Sequence, residues 1–226
     1  IATDGSLTLR TQAEVDAFAR SGINTVEGNL TIGGEDEENP VTNLDGLKNL
    51  VSVRCDLTIT AAYTGETLAG LENLTACESL RIGSAAHPNE TLRQLSLPAL
   101  KEIKGDLCVY GTALQTADFK SLQSVAGHFV LQSDALLQLT ADELTTVAGN
   151  MTLIGTTADE AKAPCEQMYF PKLQRIDGTL TLSRFDRLSG LGTTFGVLTQ
   201  AGALRYEHLA LALSLIHISE PTRLRR

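Results

Sequence analysis

One seven-residue sequence motif recurs along the chain and limits the folds that the chain can adopt. The clearest copy is Ile103-x-Gly105-x-Leu107-x-Val109, in which apolar residues stand at alternate positions. Six more copies place the residue equivalent to Leu107, here called the anchor, at positions 30, 57, 80, 129, 151 and 180. Consecutive anchors are therefore 22 to 29 residues apart. Self-similarity with a period of this length is typical of solenoid proteins.

The alternation within each copy predicts a β-strand with one buried face. A second apolar cluster precedes most copies and predicts a second inward wall in each coil. These clusters are Leu44/Leu47/Leu50, Leu68/Leu71/Leu74, Leu92/Leu95/Leu97/Leu100, Phe119/Leu122, Leu139/Leu144 and Phe170/Leu173. A glycine two places before the anchor, such as Gly105, has the inward parity, and its missing side chain suits a bend or a close approach of backbone. We therefore predict a mainly β fold, a parallel β-helix or leucine-rich solenoid of about seven to eight rungs.

Three segments are predicted. Residues 1–22 comprise a short strand at Ser6 to Leu9 and a capping helix that opens with a capping box at Thr11 to Glu14 and runs to about Arg20. We expect this helix to cover the first rung. The solenoid follows over 23–211, where Gly202-x-Leu204-x-Tyr206 is a candidate for an eighth rung. Residues 212–226 resemble the conceptual translation of a transposase-type sequencing adapter, which implies a tail that is not natural protein and a solenoid truncated at its C-terminal end.

Composition argues against several classes of partner. The net charge is -9 and the isoelectric point about 4.9, whereas nucleic acids and anionic membranes need a basic face. Tryptophan is absent, and four tyrosines and six phenylalanines predict no stacking platform for bases or sugars. No apolar run is long enough to span a membrane, so we expect no membrane insertion by this segment and an anchor outside it.

The four cysteines and the acidic residues do not predict a cofactor. Cys55 and Cys77 lie near equivalent places in adjacent coils, where either a disulfide or two small buried thiols would fit. Cys108 is expected to point outward, and Cys165 lies in an insertion. No pair has metal-ligand spacing. The acidic run from Glu35 to Glu38 lacks the alternate-residue ligand spacing of a calcium loop, which favours a solvated loop.

Extra length is confined to the segments that follow the strands. After the acidic run, insertions occur at 61–66, 84–90 and 156–167. In repeat proteins such loops often gather on one face and carry binding. Four asparagines start glycosylation sequons. Asn29, Asn73 and Asn150 are interpreted as turn or ladder residues, and only Asn89 is predicted to be accessible.

One group of charged residues at the outward positions of the strands could bind a ligand or take part in catalysis. Asp56 and Asp106 lie two rungs apart, roughly 9.6 Å at standard strand spacing, with Arg81 between them and His128 one rung further. We call these four residues the exposed ladder and predict them as binding residues. Catalysis there would need one of the two carboxyl groups to stay protonated. No apolar residue stands at the neighbouring outward positions to raise the pKa of either carboxyl. Surface charge pairing is the preferred interpretation, and no catalytic residue is predicted.

The phrases Leu50-x-x-Val53-x-Cys55-Asp56-Leu57-Thr58-Ile59 and Leu97-Pro98-x-Leu100-x-x-Ile103-x-Gly105-Asp106-Leu107 resemble the repeat of receptor L domains. The opening Thr11-Gln-Ala-Glu-Val-Asp-Ala-Phe18, followed by Gly28-Asn-Leu-Thr-Ile32, resembles the start of bacterial cell-surface leucine-rich proteins built on the same repeat. The resemblance covers about Leu7 to Leu191. It implies a ligand-binding right-handed β-helix, and it brings no catalytic motif.

Together these observations predict a non-catalytic recognition or adhesion module at the cell surface or outside the cell, on the outer surface of a bacterium. It would bind a protein or glycan through an exposed sheet face or the loop edge. A structural spacer or coat element is one alternative. A β-helix polysaccharide lyase or hydrolase that uses Asp56, Arg81 and Asp106 is the other.

Overall fold

The computed structural model describes residues 1–35, 38–156, 163–190, 194–209 and 223–225. Its parallel strands stack as a solenoid of about eight turns, with one helix near the N-terminus, so the predicted mainly β solenoid is confirmed. The strands are β1 (Leu7–Leu9), β2 (Thr25–Val26), β3 (Leu30–Ile32), β4 (Ser52–Val53), β5 (Leu57–Ile59), β6 (Ala76–Cys77), β7 (Leu80–Ile82), β8 (Gln94–Ser96), β9 (Glu102–Ile103), β10 (Leu107–Tyr110), β11 (Thr116–Asp118), β12 (Ser124–Val125), β13 (Phe129–Gln132), β14 (Gln138–Thr140), β15 (Thr146–Val147), β16 (Met151–Ile154), β17 (Gln167–Tyr169), β18 (Arg175–Phe185), β19 (Gln200–Leu209) and β20 (Arg223–Arg225). A helix, α1 (Gln12–Phe18), and a 3-10 turn, η1 (Asp45–Leu47), complete the elements described.

The anchors form one continuous column along the solenoid. Parallel pairing in register joins Leu7, Leu30, Leu57, Leu80, Leu107, Phe129, Met151, Leu180 and Leu204. All of these except the half-buried Leu7 are buried. Side chains at alternate positions of a strand share a face, so this register also aligns the residues two places further on. Both the predicted column and the eighth rung at Leu204 are confirmed.

The predicted strand is in fact two strands in most coils. A bend at the residues just before the anchor separates a two-residue strand from the anchor strand, as between β9 and β10. A Cβ at Gly127 would lie 2.7 Å from the carbonyl oxygen of Gly105, and one at Gly149 would lie 2.7 Å from that of Gly127. The backbones of successive coils therefore touch at the bend, and glycine fits there because it has no side chain. In β18 the two strands merge into a single strand of 11 residues.

A second buried column lies on the other side of the bend. It contains Val26, Val53, Cys77, Ile103, Val125, Val147 and Ile176. Cys77 therefore belongs to this column, whereas Cys55 occupies the bend and is half-buried. The expected equivalence of the two cysteines was wrong because the Leu80 coil is one residue shorter between this column and its anchor. All four cysteines are free thiols.

A third wall is a separate sheet in the order β17-β14-β11-β8. Leu95, Ala117, Leu139 and Met168 point inward from it. Every member of the predicted second apolar cluster is buried, as expected. Between the walls, phenylalanine rings meet along the interior: Phe129 lies 6.0 Å from Phe119 and 6.5 Å from Phe170, both edge to face. Phe170 in turn stacks on Phe195 at 5.5 Å.

Helix α1 starts as the sequence predicts and ends two residues earlier than expected, at Phe18. The backbone N–H of Glu14 donates to Oγ1 of Thr11 at 3.3 Å, while the Glu14 carboxylate accepts from the backbone N–H of Arg10 at 2.6 Å. Val15 and Phe18 are buried, and α1 packs against η1. A Cβ at Gly46 would lie 2.2 Å from the Val15 carbonyl oxygen, so the helix sits directly on the next coil.

Parts of three predictions lie outside the described residues. These are the middle of the acidic run (36–37), half of the insertion at 156–167 (157–162), and most of the tail at 212–226. Within the tail, the backbone of β20 pairs in parallel with β19.

Candidate functional site

The structure brings together three of the four residues of the exposed ladder. Nε of Arg81 lies 4.0 Å from Oδ2 of Asp56, and its Nη2 lies 3.4 Å from Oδ2 of Asp106. All three side chains are half-buried on the outward face of the anchor sheet. A guanidinium between two carboxylates is a charge pairing of modest strength at a surface.

Residues at the position just before the anchor have a structural task. Their side chains accept a hydrogen bond from the backbone N–H of the equivalent residue in the next coil. Here the bend has interrupted the strand pairing that would otherwise satisfy that N–H group. The acceptor and donor pairs are Ser6 and Asn29 (2.9 Å), Asn29 and Asp56 (3.0 Å), Ser79 and Asp106 (2.9 Å), Asp106 and His128 (2.8 Å), His128 and Asn150 (2.8 Å), and Asn150 and Thr179 (2.9 Å). We call this series the bend column.

The bend column explains why Asp106 and His128 stand where they do. One carboxylate oxygen of Asp106 accepts from the His128 N–H, and the other faces Arg81. The imidazole of His128 accepts at Nδ1, which leaves Nε2 as its N–H donor. His128 thus joins the exposed ladder through its backbone. Much of the hydrogen-bonding capacity of Asp106 and His128 is used within the fold. That the exposed ladder binds a ligand stays a prediction.

Replacing His128 tests the role of the bend column. We expect His128→Ala to lower the free energy of unfolding by about 1 kcal/mol, because the Asn150 N–H loses its acceptor. His128→Asn should recover most of that loss, since Asn150 performs the same task one coil further. Urea denaturation measures both values. Equal destabilisation by the two variants would contradict the assigned role.

Three of the four cysteines are poor nucleophiles. Burial raises the pKa of Cys108, with Arg81 opposing this effect, and the Arg81 Nη1 lies 3.8 Å from its Sγ. Burial also raises the pKa of Cys77 to about 12 and that of Cys165 to about 11. At neutral pH these three groups are thiols rather than the reactive thiolates.

Loops from successive coils form a cavity of about 1110 Å³ at the edge where the anchor strands end. We call it the loop-edge cavity. Its polar lining consists of Glu35, Thr58, Thr60, Thr64, Ser84 and His87, and glycine, alanine and proline supply the rest. Gly33 and Gly83 adopt positive φ angles of 98° and 61° there, so the chain turns sharply at both. Three of the predicted post-strand insertions thus converge on one site, as the sequence indicated.

Asn89 holds two of these loops together from the inside. Its Nδ2 donates to the carbonyl oxygens of Thr60 at 3.2 Å and Tyr63 at 3.0 Å. Its Oδ1 accepts from the backbone N–H groups of Thr91 at 3.0 Å and Leu92 at 2.9 Å. The side chain is fully buried, so the predicted accessibility of Asn89 was wrong. The sequon pattern does not reveal that a loop folds over its own asparagine.

Tyr63 stabilises the same region. Its buried hydroxyl donates to the Thr67 carbonyl oxygen at 2.6 Å, and burial, reinforced by Asp45, raises its pKa to about 12. Sequence reasoning located these loops but singled out neither Tyr63 nor His87. The detectable signal was the presence of insertions in consecutive coils.

The other three sequon asparagines are turn or ladder residues, as predicted. Asn29 and Asn150 belong to the bend column, and Nδ2 of Asn73 donates to the Lys48 carbonyl oxygen at 2.7 Å in a turn. All three are exposed, so the prediction that Asn89 alone is accessible was wrong for them as well.

Comparisons of the chain with protein-family models, with curated proteins and with solved structures found no match. Within the described ranges, no three histidine, cysteine, aspartate or glutamate residues are grouped so that they could hold a metal ion. The helical part of the described chain contains no segment of the length and apolarity that a membrane crossing requires.

Proposed function

We propose that this protein is a non-catalytic recognition module that binds a protein or glycan, and that the loop-edge cavity is its principal binding site. The observation that carries the proposal is the convergence of loops from three consecutive coils on one concave site. A cavity of about 1110 Å³ is of the size of known small-ligand sites or larger. The stacked coils beneath it provide a rigid support, the usual arrangement of binding loops on a scaffold.

The chemistry of the lining supports binding rather than turnover. Hydroxyl groups and one carboxylate alternate with small apolar residues, a combination suited to orienting a ligand. Several lining hydroxyls already bond to the backbone: Thr60 Oγ1 accepts from the Ala62 N–H, and Ser84 Oγ accepts from the His87 N–H. The repeat's resemblance to receptor L domains also supports a ligand-binding role, and with it a location at the cell surface or outside the cell.

The proposal is tested by filling the cavity. Ala61 lines it and is exposed, so Ala61→Trp would occupy the space without removing a polar contact. Ala126→Trp is the matched control, because Ala126 is an exposed alanine on the bend side of another coil. Wild-type protein, applied to arrays of extracellular proteins and of glycans, should give saturable binding. We expect Ala61→Trp to weaken it at least about tenfold and Ala126→Trp to leave it unchanged.

Three results would overturn the proposal. Absence of saturable binding would favour a structural spacer. Equal binding of every captured ligand by Ala61→Trp and wild type would move the site away from the cavity. Cleavage of a polysaccharide in a panel assay, lost in Asp106→Ala, would show that the protein is a lyase or hydrolase acting at the exposed ladder.

A further inference from the structure

A second candidate surface, with different residues from the loop-edge cavity, lies on the outside of the four-stranded sheet. Its outward side chains form two rows across the coils. One row contains Gln94, Thr116, Gln138 and Gln167, and the other contains Ser96, Asp118, Thr140 and Tyr169. Six of these line a shallow cavity of about 260 Å³, the exceptions being Gln167 and Tyr169. We call the two rows the polar strip.

Asp118 is the unusual member of the polar strip. Its Oδ1 is the one buried side-chain oxygen or nitrogen in the described part of the chain that has no hydrogen-bond partner. Burial raises the pKa of the Asp118 carboxyl, as does Asp142, while Lys120 opposes the effect. A buried acceptor without a donor is costly and rare in folded proteins. The acceptors of the bend column, by contrast, are satisfied within the fold.

Tyr169 adds an aromatic surface at the end of the same row. Tyr169 is 40% exposed, although most large apolar side chains in the described part of the chain are buried. Its hydroxyl donates to Oε1 of Gln167, and this contact holds the ring within the strip. The low aromatic content predicted no stacking platform, yet the fold places a single ring beside a row of hydrogen-bonding groups.

From this arrangement we propose that the polar strip binds a neutral oligosaccharide. Carboxamides donate and accept, hydroxyls do both, and the half-buried carboxylate of Asp118 can accept from a sugar hydroxyl. The Tyr169 ring offers an apolar surface to the C–H face of a pyranose. Equivalent groups recur about 4.8 Å apart across the coils, so the strip presents a periodic surface to a periodic chain. Apart from Asp118, both rows are uncharged, which favours a neutral ligand over a cationic one.

The test uses the full chain and defined hexasaccharides: cellohexaose, mannohexaose and chitohexaose, titrated by calorimetry. We expect saturable binding of at least one of them, weakened at least about tenfold by Asp118→Ala and by Tyr169→Ala. Asp4→Asn, which removes an exposed carboxylate at the N-terminus, should bind as wild type does. Asp118→Ala should leave the urea midpoint unchanged or raise it, because the substitution removes an unsatisfied acceptor. Loss of binding without loss of stability distinguishes a ligand contact from a structural role.

The outcomes against the proposal are equally defined. No binding of the three hexasaccharides, or binding that Asp118→Ala leaves intact, would overturn it. Binding of hexalysine instead, lost in Asp118→Ala, would identify a cationic partner. The variant Ala61→Trp should bind the hexasaccharide normally, so that this inference and the proposal for the loop-edge cavity succeed or fail separately.

Discussion

Phe129→Ala is expected to lower the free energy of unfolding by about 3 to 5 kcal/mol. Phe129 is the anchor of its coil, is fully buried, and contacts the rings of both Phe119 and Phe170 edge to face. Alanine would leave a void in the centre of the solenoid and remove both aromatic contacts. The rigid stacking of coils on either side limits how far the neighbours can move to fill it.

The control for this prediction comes from the repeat itself. Leucine occupies the equivalent position in seven of the nine paired coils, so Phe129→Leu should cost much less than Phe129→Ala. Urea denaturation followed by circular dichroism gives both values. A loss below about 1.5 kcal/mol for Phe129→Ala would show that the interior is loosely packed at this coil.

Asn89→Ala is expected to lower the free energy of unfolding by about 3 kcal/mol or more. The substitution leaves the carbonyl groups of Thr60 and Tyr63 and two backbone N–H groups without the partners that the carboxamide supplies. Because Asn89 joins the loops after two consecutive coils, we also expect faster hydrogen exchange at residues 60–66 and 89–92. Binding at the loop-edge cavity should weaken in parallel.

Asn73→Ala is the matched comparison. Asn73 is exposed and its side chain makes one hydrogen bond, to the Lys48 carbonyl oxygen, so its loss should cost about 1 kcal/mol or less. If the two asparagine variants were equally stable, the buried network would not be holding the loops. Asn89→Asp should resemble Asn89→Ala, since a carboxylate cannot donate to Thr60 and Tyr63.

The repeat predicted the fold because its spacing records the stacking directly. The anchors at Leu30, Leu57, Leu107 and Leu180 share a column since each coil must bury the same face against the same neighbours. The glycine before the anchor indicated a bend or a close approach of backbone, but the division into two strands was not predicted, because Ile103 and Leu107 keep the same parity across the bend. The close contact between the bend glycines, such as Gly127 and Gly149, and the backbone of the preceding coil is visible only in the structure.

The candidate sites were less accessible to sequence reasoning. The exposed ladder was found because Asp56, Arg81 and Asp106 fall at fixed offsets from their anchors. The role of the bend column was missed because the need for an acceptor arises only when one coil lies on another. Asp118 and Asn89 illustrate the same limit. Both are polar residues near apolar clusters. Only the packing of distant segments decides that Asn89 has hydrogen-bond partners on both sides of its carboxamide and that Oδ1 of Asp118 has none.

The bend column has a consequence for how such a chain can diversify. In most coils one short side-chain contact just before the anchor aligns the next coil, whereas the loops of variable length follow the anchor strand. The anchors remain in register even though the distance between them varies from 22 to 29 residues. Loop length is thereby decoupled from alignment. A chain built in this way can exchange or lengthen its recognition loops over generations while its supporting frame stays the same.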